Sequence, residues 1–346
     1  MPDMSGQWRH LINWTNDGIA SPLLSLLHIP ASALNPRELA TSLLIAAIQI
    51  GIIALIFRPL ESWLPAERWT DRRLTRVDRQ YTLLLVLGIV PLTIFLAMTP
   101  LRGLFDGDAS PGEGTRAGLL RAIPALNQHP YLMFFVYYLV FDFVYYWMHR
   151  AQHAIPWWWA LHSLHHSQSQ VSCWTNDRGS FLVDGLLQVS ILASVGLVLG
   201  VDPSEFALLM LVAELIQNFS HANVRFDFDS FLNRVLVGPA FHRLHHMRAN
   251  LARPGLHRCN FAQAFPVWDI LFGTALYDEQ PHATGVTDPV VDADNDLGLI
   301  GQQWAALKRF WGAIRTRAGW SPGDVSFGAG YEPVPDAREA HLVPRA

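Results

Sequence analysis

Apolar residues gather along this chain in five helix-length stretches, with polar residues between them. A helix needs about 20 mostly apolar residues to cross the hydrocarbon of a bilayer. Residues 39–57 and 81–98 meet that length, and residues 131–147 are apolar and aromatic apart from Asp142. Residues 181–201 are apolar apart from Asp184 and Gln188, while residues 204–219 are shorter and carry Glu205, Glu214 and Gln217. Gly200, Val201, Asp202 and Pro203 make a tight turn between the last two, which read as a helical hairpin. The pattern predicts an all-α, polytopic helical membrane protein.

Arginines orient the crossings. The loop after the first stretch holds Arg58, Arg68, Arg72, Arg73, Arg76 and Arg79, whereas the segment before it holds Arg9 and Arg37. Basic loops stay in the cytoplasm, so five crossings starting outside end inside. The third crossing then delivers His149 to the cytoplasmic side. The hairpin leaves and returns, so His221, His242 and the remainder of the chain share that side, as a helical cap.

Two other stretches read as amphipathic helices, lying on the membrane or packed on the cap. One holds Leu60, Trp63, Leu64 and Trp69. The other holds Trp304, Leu307, Phe310, Trp311 and Ile314 among Lys308, Arg309, Arg315 and Arg317. Residues 1–36 are mixed, interrupted by Pro22, Pro30 and Pro36, with no charged-then-apolar leader. Residues 321–346, rich in Gly, Pro and charge, read as a loose tail. The expected division is an N-terminal segment 1–36, a transmembrane hairpin with loops 37–129, a central unit 130–276, and an amphipathic helix with tail 277–346.

Composition agrees with the membrane reading. The 346 residues are 51% hydrophobic and only 16% charged, where soluble domains have nearer a quarter charged. A net charge of −4 leaves no basic face for nucleic acid. Lys308 is the only lysine against many arginines, a bias of GC-rich genomes that points to a bacterial inner membrane. Cys173 and Cys259 imply no disulfide framework.

The chemistry lies in the histidines. His149 and His153 form HxxxH; His162, His165 and His166 form HxxHH; His242, His245 and His246 repeat HxxHH. Such spacings put donor nitrogens on one helix face, a turn apart. Eight imidazoles are too many for one metal ion and about enough for two. Asp142 lies two turns before His149 on the same face, where it could accept from a ligand imidazole. Glu214, Gln217 and His221 repeat that pattern, which makes His221 a ninth candidate and lets Gln217 hold a neighbouring imidazole or a metal-bound water. His257, in a loop broken by Pro and Gly, is a tenth. His10, His28, His129, His282 and His341 have no partner at ligand spacing. Imidazole suits zinc, copper, iron and nickel, so spacing alone leaves two zinc ions open. A transporter would instead set its ligands near mid-span. A structural metal protein stays open too.

The order HxxxH, HxxHH, single His, HxxHH resembles the fatty acid hydroxylase superfamily, which holds sterol desaturases and alkylglycerol monooxygenase. Further segments carry the likeness: Asp142 to Arg150 for the first box with its lead-in, Gln217 to His221 for QxxxH, and Pro239 to His246 for the last box. Asn260-Phe261-Ala262 and Trp268-Asp269 through Gly273-Thr274 resemble the family's NYG…WDxLFGT tail. Departures are Arg258 for an aspartate, Phe261-Ala262 for Tyr-Gly, and Gln217 where some relatives have histidine.

The resemblance implies an integral-membrane di-iron oxygenase, with zinc able to replace iron in purified material. Its ligands would come from the ten candidate histidines, with Asp142, Glu214, Gln217 and Asn260 behind them. It implies hydroxylation of an acyl or sterol lipid with O₂, or alternatively desaturation or ether-lipid cleavage. No GxGxxG follows a strand pattern, so electrons are expected from a separate reductase, ferredoxin or cytochrome.

Overall fold

The computed structural model describes residues 4–31, 34–89, 118–201, 203–226, 231–248, 259–277 and 283–316. The chain is mostly helical and, among the described residues, contains no strand. Nine helices position the site: α1 Met4–Thr15, α2 Pro36–Trp63, α3 Arg73–Leu84, α4 Pro130–Ala154, α5 Pro156–His166, α6 Phe181–Leu199, α7 Pro203–Ser220, α8 Pro239–His245 and α9 Leu299–Thr316.

Proline opens α2, α4, α5, α7 and α8, where its fixed φ suits a first turn and its missing N–H costs no helical bond. Asn35 caps α2 by accepting from the Arg37 N–H at 2.9 Å. Pro156 also ends α4, because it forces Ile155 into extended backbone, φ −96° and ψ 118°.

Three helices, α2, α4 and α6, are long and apolar enough to cross a membrane. They correspond to the first, third and fourth predicted crossings, the last ending at Leu199 rather than Val201. Of the second, residues 81–89 are helical, and residues 90–98 lie outside the described residues, as do His257 and the tail 321–346. The apolar part of α7, Leu208–Ser220, is shorter than a full span. Between α6 and α7, Gly200 takes φ +82°, and its backbone touches Gly118, where a Cβ would stand 2.3 Å from the Gly200 Cα. Both positions exclude a side chain. Behind the turn, Met133, Tyr137, Tyr138 and Phe141 of α4 pack with Leu199, Val201, Leu209 and Ala213.

Two expectations change. The N-terminal segment is helical through Pro22: the wide turn Asn16–Ala20 joins α1 to Ser21–Leu26, so proline opens a fresh turn rather than breaking one. The two carboxylates of residues 60–69 turn inward, while Arg68 stays exposed. Glu61 is buried and accepts from the N–H groups of Cys173 (2.7 Å) and Asn223 (2.9 Å). Glu67 is buried against Trp69 and Arg243. Only the exposed Trp63 keeps an outward apolar character there. α9 packs on α5, with Gln302, Gln303 and Ala306 buried on its inner side, and leaves an apolar stripe open.

Candidate metal centre

Four elements bring nine histidines together. α4 supplies His149 and His153 one turn apart, α5 supplies His162, His165 and His166, His221 follows α7, and α8 with its cap residue supplies His242, His245 and His246. All nine are buried. They form two groups, His149, His153, His162, His166 and His245 in one, and His165, His221, His242 and His246 in the other. Within each group one ring nitrogen per residue lies within 4.8 Å of the others.

The groups do not follow the sequence boxes. Adjacent helical residues point about 100° apart, so His165 and His166 go to different groups, and so do His245 and His246. Their ring planes stand at 84° and 89°. Each HxxHH box therefore feeds both groups. Cys173 and Cys259 are buried and belong to neither.

Backbone carbonyls set the tautomers. Nδ1 of His149 meets the Phe261 carbonyl at 2.8 Å, His165 meets Arg178 at 3.0 Å, His221 meets Gln217 at 2.7 Å and His245 meets Cys259 at 2.8 Å. A carbonyl only accepts, so these Nδ1 atoms carry the hydrogen and each Nε2 presents a bare lone pair. Nε2 of His149, His162, His166 and His245 is buried without a hydrogen-bond partner among the described residues.

In the second group Nε2 of His221 lies 3.1, 3.0 and 3.1 Å from Nε2 of His165, His242 and His246. Two donors about 2.1 Å from one ion, and at right angles to each other, stand about 3.0 Å apart. The bare pairs of His165 and His221 repel unless a cation lies between them. A proton fits poorly, because burial first, and neighbouring imidazoles second, hold His165, His166, His242, His245 and His246 well below the ordinary 6.5. Neutral, buried donors with converging lone pairs fit a metal ion in each group.

A carboxylate scaffold holds the carbonyls in place. Asn260 takes φ +59° between Cys259 and Phe261, the two residues whose carbonyls receive His245 and His149. Asn tolerates this left-handed conformation better than most residues. Its amide donates to Phe241 O (2.8 Å) and Leu276 O (3.0 Å) and accepts from the Leu276 N–H (2.7 Å). Asp269 accepts from the N–H groups of Phe261 and Ala262, both at 2.8 Å.

Asp142 reaches no imidazole. It accepts from the N–H groups of Ala264 (2.8 Å) and Phe265 (3.1 Å) and from Trp268 Nε1 (2.9 Å). Its partner is instead the loop that carries the Phe261 carbonyl. Glu214 accepts from Asn176 Nδ2 at 2.5 Å rather than from His221. The Gln217 side chain accepts from Tyr145 Oη at 2.8 Å, and it is the Gln217 backbone carbonyl that takes His221. His10, His28 and His129 are exposed and stand outside both groups.

Two further residues escaped the sequence reading. Arg178 is fully buried; its carbonyl receives His165, and its guanidinium binds Asp78 (3.1 Å), Ser167 Oγ (2.8 Å) and the Leu164 carbonyl (3.0 Å). Asp184 accepts from Trp158 Nε1 (2.6 Å) and Gln152 Nε2 (2.9 Å) and lies 4.0 Å from His162 Nδ1. A carboxylate inside an apolar stretch signalled Asp184. Arg178 sits in an aperiodic loop that signals nothing.

Comparison with known proteins agrees with this geometry. Residues 134–274, which enclose all nine histidines, match the family model Fatty acid hydroxylase. Alkylglycerol monooxygenase of Homo sapiens is 28% identical over 204 residues, 56% of this chain and 44% of that protein. The protein of the same name from Danio rerio is 31% identical over 203 residues, 55% of this chain and 43% of that protein. The one from Caenorhabditis elegans is 28% identical over 166 residues, 48% of this chain and 31% of that protein. The chain thus spans under half the length of the curated relatives it matches. No solved structure matches it. Over residues 134–274 the chain is thus similar to the fatty acid hydroxylase family, as its histidine boxes suggested.

Proposed function

We propose that this protein is a membrane-bound di-iron oxygenase that inserts oxygen into a C–H bond of a lipid. One observation carries the reading: two buried imidazole groups with converging bare lone pairs, inside a segment of fatty acid hydroxylase type. His149, His153, His162, His166 and His245 would hold one ion, and His165, His221, His242 and His246 the other. His257 remains a tenth candidate. With iron bound, such a centre supplies O₂ activation and oxidation of an unactivated C–H bond.

The chain's own residues do the positioning. Carbonyls of Cys259, Phe261, Arg178 and Gln217 hold the protons of four ligand rings and turn their lone pairs inward. Asp142, Asp269 and Asn260 hold the loop that bears two of those carbonyls. Aromatic rings close the rim: Phe261 lies against His149, His153 and His245, and Trp159 against His153 and His166. They keep water from the reacting atoms and raise the worth of every charge there. The helices α2, α4 and α6 would hold the protein beside its lipid. We place it in a bacterial inner membrane with the cap on the cytoplasmic side, and take residues 130–276 as the catalytic unit.

The overall reaction takes O₂, two electrons and two protons, and leaves one hydroxyl and one water. The electrons come from a separate reductase, ferredoxin or cytochrome. The names of the relatives make alkylglycerols the first substrates to test, ahead of acyl and sterol lipids. Hydroxylation beside an ether oxygen gives a hemiacetal, which breaks its C–O bond unaided, so the same chemistry accounts for ether cleavage.

The test is metal content and turnover of protein purified with iron and without air. We expect about two iron ions per chain, and O₂-dependent loss of an alkylglycerol once a reductant and donor protein are added. Two zinc ions that iron cannot displace, or no bound metal, would overturn the oxygenase reading and leave a structural or transport role.

A further inference from the structure

α9 carries more apolar surface than its packing uses. Ile300, Trp304, Leu307, Trp311 and Ile314 recur at intervals of three and four, and so form one stripe along the helix. The packed side is a different one, where Gln302, Gln303 and Ala306 are buried. On the stripe, Ile300 is 76% exposed, Trp304 59% and Trp311 50%. Lys308 and Arg315 are exposed along its edge, away from the packed side, and Lys308 Nζ lies 5.7 Å from the centre of the Trp304 ring. The helix has no acidic residue, and its third cation, Arg309, binds Asp294 at 2.9 and 2.6 Å.

The tethers of α9 fix its height relative to the bilayer. Gln303 Nε2 donates to Tyr81 Oη at 2.8 Å, and Gln303 Oε1 accepts from the Phe181 N–H at 3.2 Å. Phe181 is the first residue of α6, one of the three helices able to cross a membrane. Trp157, just past the end of α4, packs edge-on to Phe310 at 6.0 Å. α9 is therefore held where two crossing helices meet the cap.

Tryptophan suits that layer, since its ring is apolar and its N–H seeks a polar partner. A tryptophan stripe with a cationic edge is complementary to a bilayer surface bearing anionic headgroups. We propose that α9 lies in the membrane interface, with the stripe from Ile300 to Ile314 at the boundary of the acyl chains and with Lys308 and Arg315 on anionic headgroups. This rests on the reading of α2, α4 and α6 as membrane spans. It gives the cap a second anchor, beside the surface from which a lipid substrate is drawn.

The test uses full-length protein in phosphatidylcholine vesicles, with and without phosphatidylglycerol. Nitroxide labels are placed singly at Ile300→Cys, Trp311→Cys, Thr316→Cys and Leu55→Cys; the two native cysteines are buried. Thr316 is exposed on the far side of α9, and Leu55, 78% exposed on α2, reports insertion of the spans. We expect the labels at 300 and 311 to collide more with O₂ than with a water-soluble nickel chelate, and the label at 316 to do the reverse. Stripe labels open to the chelate overturn the proposal. So do stripe labels shielded from both reagents, which would mean that the chain's own tail or a second copy covers the stripe. An aqueous label at Leu55 defeats the membrane reading itself, whereas a lipid-facing Leu55 with aqueous stripe labels defeats only the role of α9. Charge reversal, Lys308→Glu with Arg315→Glu, is expected to lift the stripe out of phosphatidylglycerol vesicles and to change little in pure phosphatidylcholine. An equal effect in both removes the anionic headgroups from the assignment.

Discussion

A single proton decides what each ligand histidine can do. Where Nδ1–H is given to a carbonyl, Nε2 has only a lone pair to offer, and burial denies it water. His165→Ala and His245→Ala each remove one such lone pair, from different groups. Both variants are expected to lose turnover and to bind less iron, while the apolar helices keep the chain in the membrane; metal analysis of membrane-extracted protein checks this. Full activity in either variant would sink the two-ion mechanism. Asp142→Asn acts one step further out. The carboxylate accepts three N–H groups, and an amide has one acceptor oxygen and turns an N–H₂ toward the rest. The loop bearing the Phe261 carbonyl loosens, and His149 loses its fixed tautomer. Metal affinity should fall about 10–100-fold, as for other losses behind a ligand. An iron titration that matches the unaltered protein would remove Asp142 from this role.

At the scale of elements, the loop of residues 167–178 between α5 and α6 depends on one buried ion pair. Arg178 and Asp78 lie 3.1 Å apart with almost no solvent access, and the same arginine reaches Ser167 and the Leu164 carbonyl. Arg178→Met leaves the Asp78 carboxylate buried without its cation, a loss of about 3–5 kcal/mol. Adding Asp78→Asn removes that charge and should recover much of the loss, a difference that thermal unfolding in detergent can measure. If the double variant unfolds no later than Arg178→Met, the pair is not what holds this loop. None of this was legible in the sequence. The spacings HxxxH and HxxHH marked the helices that bring the histidines together, because helical period alone puts those side chains on one face. They did not show that His165 and His245 exchange groups, which depends on how α5 and α8 face each other. The sequence sets Asp142 toward an imidazole, but its partners are N–H groups more than a hundred residues away. The arginines of residues 58–79 served to orient the crossings, while Glu61 and Asp78, which build the cap from the same segment, were indistinguishable from surface charge.

For the whole molecule, the consequence of assembling nine imidazoles in a dry core is a dependence on pH and on metal. In the fold His162, His165, His166, His242, His245 and His246 resist protonation, chiefly through burial, so their pKa values lie well below 6.5. In the unfolded chain the same side chains titrate near 6.5. Below that pH the unfolded state binds protons that the folded state refuses, and stability rises with pH wherever the unfolded state binds more. The contribution is thus complete above about 6.5 and is lost as the pH falls beneath it. Metal-stripped protein should therefore melt at steadily lower temperature from neutral pH toward pH 5. The metal-loaded form should melt higher at each pH, since an ion that binds only the folded state stabilises it by mass action. Thermal scans of both forms across that range check the sign. A flat acid limb in the stripped protein would mean that the imidazoles are already hydrated without metal. The two groups would then assemble only on loading, and the carbonyls of Cys259, Phe261, Arg178 and Gln217 would follow the metal rather than prepare its site.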